Sequence, residues 1–177
     1  MTATTHPEAR ILVLCYSRTG NTRVVGQAIA SALGAEFEEL QTVEPGAGPR
    51  SYSRCALDIL FRRRVKLAPL AHNPAEFALV VIGTPVWMAS VSSPVRSLLR
   101  VMRSRLPHIA VFLTHGGTSK ERVFEQLESL AAQTPLARLA VTERAVMNGE
   151  ITPLVEQFAE EIRAQLPRLT TVHAAGG

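Results

Sequence analysis

The chain has 177 residues, 46% of them hydrophobic and 19% charged, with a formal net charge of +4 at pH 7. That is the size and balance of one globular domain able to bury roughly 70% of the surface its unfolded form exposes. No apolar run approaches the ~20 residues of a membrane-spanning helix, and the two cysteines, Cys15 and Cys55, match no metal or redox spacing, which excludes a disulfide framework and a cysteine zinc site.

Residues 1–9 are polar and lack the apolar core of a secretory signal, which predicts a cytoplasmic location. Ile11-Leu12-Val13-Leu14-Cys15 then reads as a buried strand. It feeds a tight loop, Tyr16-Ser17-Arg18-Thr19-Gly20-Asn21-Thr22, that opens into the helical pattern Val24, Val25, Ala28, Ile29, Leu33. Such a loop suits a phosphate. The hydroxyls of Ser17, Thr19 and Thr22 can donate, Gly20 lets the backbone approach closely, and the helix aims its free N–H groups and positive dipole end at the anion. Neither Gly-x-x-x-x-Gly-Lys-Ser/Thr nor a helix-opening Gly-x-Gly-x-x-Gly occurs, so the nucleoside triphosphatase and dinucleotide fingerprints are absent.

A second strand over 36–40 is more polar than the others and is predicted at a sheet edge. A loop at 45–49 and a helix over 52–63, with Tyr52, Cys55, Ala56, Ile59 and Leu60 on one side, come next. Strands three, four and five are predicted over 79–82, 109–113 and 139–141, and helices over 94–104, 121–132 and 152–165. The last helix presents Leu154, Val155, Phe158, Ile162 and Leu166 as its inward stripe. Alternation of strands and helices predicts a three-layer α/β domain whose parallel sheet is covered on both faces. A single domain is expected, with its core over about 10–166 and flexible ends at 1–9 and 167–177.

In such sheets ligands bind beyond the carboxyl ends of the strands, and the segments following strands three and four carry matching chemistry. After strand three comes Gly83-Thr84-Pro85-Val86-Trp87-Met88-Ala89-Ser90, followed by Ser93-Pro94-Val95-Arg96. The chain's only tryptophan falls here in a predicted loop, where its ring needs a planar cover. After strand four comes Thr114-His115-Gly116-Gly117-Thr118-Ser119, a bare backbone able to offer N–H groups to a ring edge where negative charge gathers. His115 is a candidate proton relay or charge at that edge.

The first loop resembles the phosphate loop of the flavodoxin-like superfamily, and the other two segments resemble its second and third flavin loops. The resemblance covers about 10–166, with a weak match over 42–73. It implies a five-stranded parallel sheet in the order 2-1-3-4-5 and noncovalent FMN held by Ser17 to Thr22, by Thr84, Pro85, Val86, Trp87 and Met88, and by Thr114, His115, Gly116 and Gly117. Arg18 either pairs with the FMN phosphate or offers only its N–H.

Three departures steer the activity implied by this resemblance. Shuttle flavodoxins are acidic and dock on basic partners by charge, whereas this chain is net positive. Between residues 50 and 73, Arg50, Arg54, Arg62, Arg63, Arg64 and Lys66 face Asp58 alone, leaving the rest of the chain at −1. This segment reads either as a solvated helix end or as a docking surface for an anion, such as the phosphates of NAD(P)H or an acidic partner; without interleaved aromatics it is a poor nucleic-acid footprint. Next, no glycine follows Trp87, so a peptide flip toward the flavin carries a Cβ penalty, which implies two-electron chemistry with little one-electron radical. Third, the loop over 114–119 holds no aromatic, leaving the ring face opposite Trp87 open to a nicotinamide and then an acceptor. The NAD(P)H:quinone reductase branch therefore fits best: hydride from nicotinamide to the flavin N5, then to a quinone or similar small acceptor. An electron-transfer carrier without its own substrate turnover is the alternative, and a homo-oligomer stays open because related reductases place a neighbouring subunit over the flavin.

Overall fold

The computed structural model describes residues 9–43, 65–117 and 119–167. The predicted loop at 45–49, the helix over 52–63, Thr118, the ends 1–8 and 168–177, and every cation of the basic segment except the exposed Lys66 lie outside these residues.

Strand β1 (Ile11–Cys15) is five consecutive buried apolar residues, the pattern of a strand covered on both faces. It pairs in parallel with β2 (Glu36–Glu39) on one side and β3 (Leu79–Trp87) on the other. Beyond β3 lie β5 (His108–His115) and β6 (Arg138–Thr142), both parallel. The sheet order is β2-β1-β3-β5-β6. That is the predicted 2-1-3-4-5 order with one short strand added to the numbering: β4 (Ser90–Val91) folds back antiparallel on the end of β3.

Alternation along the strands sends side chains to opposite faces, and two cores result. Leu12, Leu14, Val80, Ile82 and Val111 meet Val95, Leu98 and Leu99 of helix α2 (Ser93–Met102) and Val123, Phe124 and Leu127 of α3 (Lys120–Ala131). Val13, Cys15, Val81 and Phe112 meet Val25 and Ile29 of α1 (Asn21–Leu33) and Val155, Phe158 and Ile162 of α5 (Thr152–Arg163) on the other side. Each fully buried side chain of this size contributes about 1.5–3 kcal/mol, so the central strands carry most of the stability. The expected polar edge is β2, where Glu36 pairs with Arg10 at 2.7 Å and His72 Nδ1 lies 2.8 Å from Glu38 Oε2.

Several boundaries and faces differ from the sequence reading. Val24 is 46% exposed and Leu154 36% exposed, so neither belongs to an inward stripe. Each lies one residue, about 100°, around its helix from the buried Val25 or Val155. A short helix α4 (Glu143–Met147), capped by Thr142 Oγ1 accepting from Ala145 N at 3.1 Å, was not anticipated. The largest change concerns the segment after strand three, expected as a loop: Gly83, Thr84 and Pro85 continue β3 and pair with Phe112, Leu113 and Thr114. The Gly83 carbonyl accepts from Tyr16 N, so the backbone groups of Gly83 and Pro85 both face β1, which ends opposite Gly83. The missing proline N–H therefore leaves no ladder bond unmade.

Candidate functional site

The carboxyl ends of β1, β3 and β5 converge, and the three predicted site segments meet there. The first begins where β1 ends. Ser17 Oγ accepts from Gly20 N at 3.1 Å, and Gly20 takes φ 97°, ψ −22°, the left-handed region that glycine enters without steric penalty. The first α1 bond runs from Val24 N to Gly20 O at 2.9 Å, so the N–H groups of Asn21, Thr22 and Arg23 have no acceptor within the helix. No side chain caps this terminus and no acid lies in its first turn. An anion fits the seat directly. Thr19 is exposed beside it, and Arg23, which sequence reasoning had not singled out, pairs with Glu39 at 3.4 Å.

The second segment is a β-hairpin. Trp87 and Ser90 are its paired ends, and Met88 and Ala89, at φ 49° and 53°, form a two-residue turn with both centres left-handed. Such turns ordinarily use Asn-Gly, and an L-residue there costs roughly 1–2 kcal/mol. A partly buried polar network holds the turn. Arg96 donates to Ser90 Oγ at 2.6 Å and to the Val91 carbonyl at 3.2 Å, while Gln126 Nε2 donates to the Ala89 carbonyl at 3.1 Å and its Oε1 accepts from Ser90 Oγ and Val91 N. Thr84, expected to touch the ligand, is fully buried; its hydroxyl accepts from Ser92 N, donates to the Pro85 carbonyl and lies 3.0 Å from the Ser92 hydroxyl, so its side chain braces the hairpin. Pro85 is buried, Val86 pairs with Val91, and Met88 is 61% exposed. Tyr16 meets the half-buried Trp87 edge-on at 6.1 Å, and the Arg18 guanidinium lies 5.6 Å from its ring centroid. That cation–ring contact ties the first segment to the second.

The third segment is tied to the first. Thr22 and Thr114, both about 1% exposed, share a 2.7 Å hydroxyl bond, so the Thr22 side chain points into the fold rather than outward. Gly116 and Gly117 are exposed, and His115 is buried with Nδ1 bonded to the Gly117 carbonyl. Because that oxygen only accepts, Nδ1 carries the proton. Glu143 is a further missed residue: a Cβ placed on Gly116 would lie 3.6 Å from its Oε2, putting a carboxylate against the loop. The legible signal was Thr142-Glu143 after the last strand, a helix start. Cys15, also at this end of the sheet, is no nucleophile: burial first, then the Glu39 charge, pushes its thiol up to about 12.

The sequence matches no family model and no curated protein sequence. Solved structures do resemble it. A flavoprotein from Lactobacillus acidophilus NCFM, in complex with FMN, is 23% identical with a TM-score of 0.63 over 79% of this chain and 97% of its own. A WrbA-like flavodoxin from Agrobacterium tumefaciens is 14% identical, TM-score 0.53, over 88% and 98%. A Trp repressor binding protein from Bacillus subtilis is 13% identical, TM-score 0.55, over 84% and 98%. The fold of this chain is flavodoxin-like.

Proposed function

We propose that the chain binds FMN across these three segments and passes two electrons from NAD(P)H to a quinone or similar small acceptor. The observation that carries the reading is the uncapped, acid-free N-terminus of α1 behind left-handed Gly20, an anion seat with Trp87 and the Gly116-Gly117 loop gathered round it. The FMN complex of the Lactobacillus acidophilus flavoprotein, which shares the fold, supports FMN as the ligand.

Asn21, Thr22 and Arg23 N–H groups, with the Ser17 and Thr19 hydroxyls, bind the phosphate in this scheme, and Arg18 supplies positive charge between that seat and Trp87. Trp87 and Tyr16 wall the ring. Gly116 and Gly117 offer N–H groups to its polar edge, and His115 holds their loop through the Gly117 carbonyl, which makes it a positioning residue. Glu143 beside Gly116 opposes added negative charge at that edge. When bound, FMN supplies the two-electron carrier; the protein supplies binding and electrostatics. The rigid Met88-Ala89 turn disfavours a peptide flip, because the alternative two-residue turn wants glycine at its first centre, where Met88 stands. That favours two-electron transfer.

Reconstitution with FMN followed by stopped-flow mixing with NADPH and NADH tests the reading. Uptake of one FMN with quenched fluorescence, then rapid bleaching and reoxidation by a quinone, is the expected result. Protein that takes up no FMN refutes the site. FMN uptake without bleaching refutes the reductase and leaves an electron carrier.

A further inference from the structure

Beside the Met88-Ala89 turn, α2 and α3 flank a cleft of about 590 Å³. Arg96 and Arg100, one helical turn apart on α2, face it from one wall, and Arg122 of α3 faces it from the other. Glu125 is the single acid among its lining residues. Three guanidiniums against one carboxylate make a positive cleft in the volume range of small-ligand sites. Its rim is the turn Met88-Ala89-Ser90, the same hairpin that carries Trp87.

We infer that this cleft holds the phosphates of the dinucleotide electron donor. The inference rests on the NAD(P)H-linked reading above. A donor whose ring stacks on the open flavin face opposite Trp87 and whose anionic groups lie in the cleft has to reach past the Met88-Ala89 turn, and a dinucleotide has that shape, a ring at one end and a diphosphate further along. Guanidiniums suit the task because their planar fork binds phosphate oxygens in pairs. The arginines divide the work. Arg96, 7% exposed and bonded to Ser90 Oγ and the Val91 carbonyl, fixes the rim. Arg100 and Arg122 are exposed on the two walls and grip the ligand.

The test is calorimetric titration of FMN-loaded protein with NADP+ and NAD+, which bind without turnover, in the wild type and in Arg100→Ala and Arg122→Ala. Each variant is expected to weaken dinucleotide binding about tenfold or more, and wild-type binding to weaken with salt, while FMN affinity and melting temperature stay at wild-type values. Unchanged dinucleotide affinity in both variants, or wild type that binds FMN and neither dinucleotide, overturns the inference and leaves the FMN site standing. Should the protein take up no FMN, the oxidoreductase reading fails, and the same titrations of FMN-free protein decide the cleft. Inorganic pyrophosphate is the companion probe; pyrophosphate binding that depends on Arg100 and Arg122 without dinucleotide binding also overturns the assignment.

Discussion

Gly83→Ala probes the centre of the fold and the base of the site together. A Cβ at Gly83 would fall 2.1 Å from Phe112 Cζ, 2.4 Å from Cε1 and 2.8 Å from Cys15 Cβ. The Phe112 ring is fully buried. The ring must leave its rotamer or β3 must part from β5. Overpacking of this kind costs typically 1–3 kcal/mol, and with the Cβ of Cys15, which cannot rotate away, also in contact we place Gly83→Ala at about 3 kcal/mol, the upper end of that range. For a domain of this length that is a fall in melting temperature of roughly 6–12 °C. Urea unfolding of the wild type, Gly83→Ala, Phe112→Leu and the double variant checks the cause. The smaller side chain frees the space the new methyl needs, so the double variant is expected to be more stable than the two single losses add up to. A Gly83→Ala loss below about 1 kcal/mol, or strict additivity, refutes the steric argument.

Gly20→Ala leaves the nearest atom, Arg23 Nη2, at an unstrained 3.5 Å, so its effect comes from φ 97° alone; a stability loss of about 1–2 kcal/mol and at least tenfold weaker FMN binding are expected, and unchanged FMN affinity by fluorescence titration would count against the anion seat. Thr114→Val leaves the buried Thr22 hydroxyl without its 2.7 Å partner, a loss of about 1–3 kcal/mol that Thr22→Val in the same chain partly restores; a double variant as unstable as the summed singles argues against the pair. Cys15, whose thiol is held up to about 12, stays neutral in the native state, while the unfolded chain ionises it near 9.0. Its contribution to stability is therefore complete below pH 9 and lost progressively as pH rises toward 12. Peptide mapping after iodoacetamide treatment at pH 8.5 should find Cys15 modified only in urea, and Cys15→Ala should flatten the alkaline decline of stability.

Much of the architecture was legible because it is written locally. The buried run of β1, the Ser-x-Thr-Gly-Asn-Thr loop and the 3.6-residue pattern of α1 lie within one stretch, and each element's apolar spacing identifies it without reference to the rest of the chain. Polar Glu36 and Glu38 announced an edge strand in the same way. The two-residue strand β4 was hidden, since its turn is Met88-Ala89 rather than the glycine or asparagine that turns advertise. Gly83 read as a loop glycine. Its reason is Phe112, a residue on another strand that needs the space a Cβ would take.

The sequence by itself thus determined a doubly covered parallel sheet, its strand order by resemblance, and the three segments that border its carboxyl edge. Tertiary structure alone decided how those segments join. Thr22 meets Thr114 across 92 residues, Ala89 meets Gln126 across 37, and Arg18 lies on Trp87. It also decided that Thr84 turns inward, that Glu143 reaches Gly116, and that three arginines share one cleft. The physical reason is range. Periodicity and propensity act between residues a few positions apart, whereas a buried hydroxyl finds its partner, and an arginine its cleft, only when packing has brought distant strands and helices together.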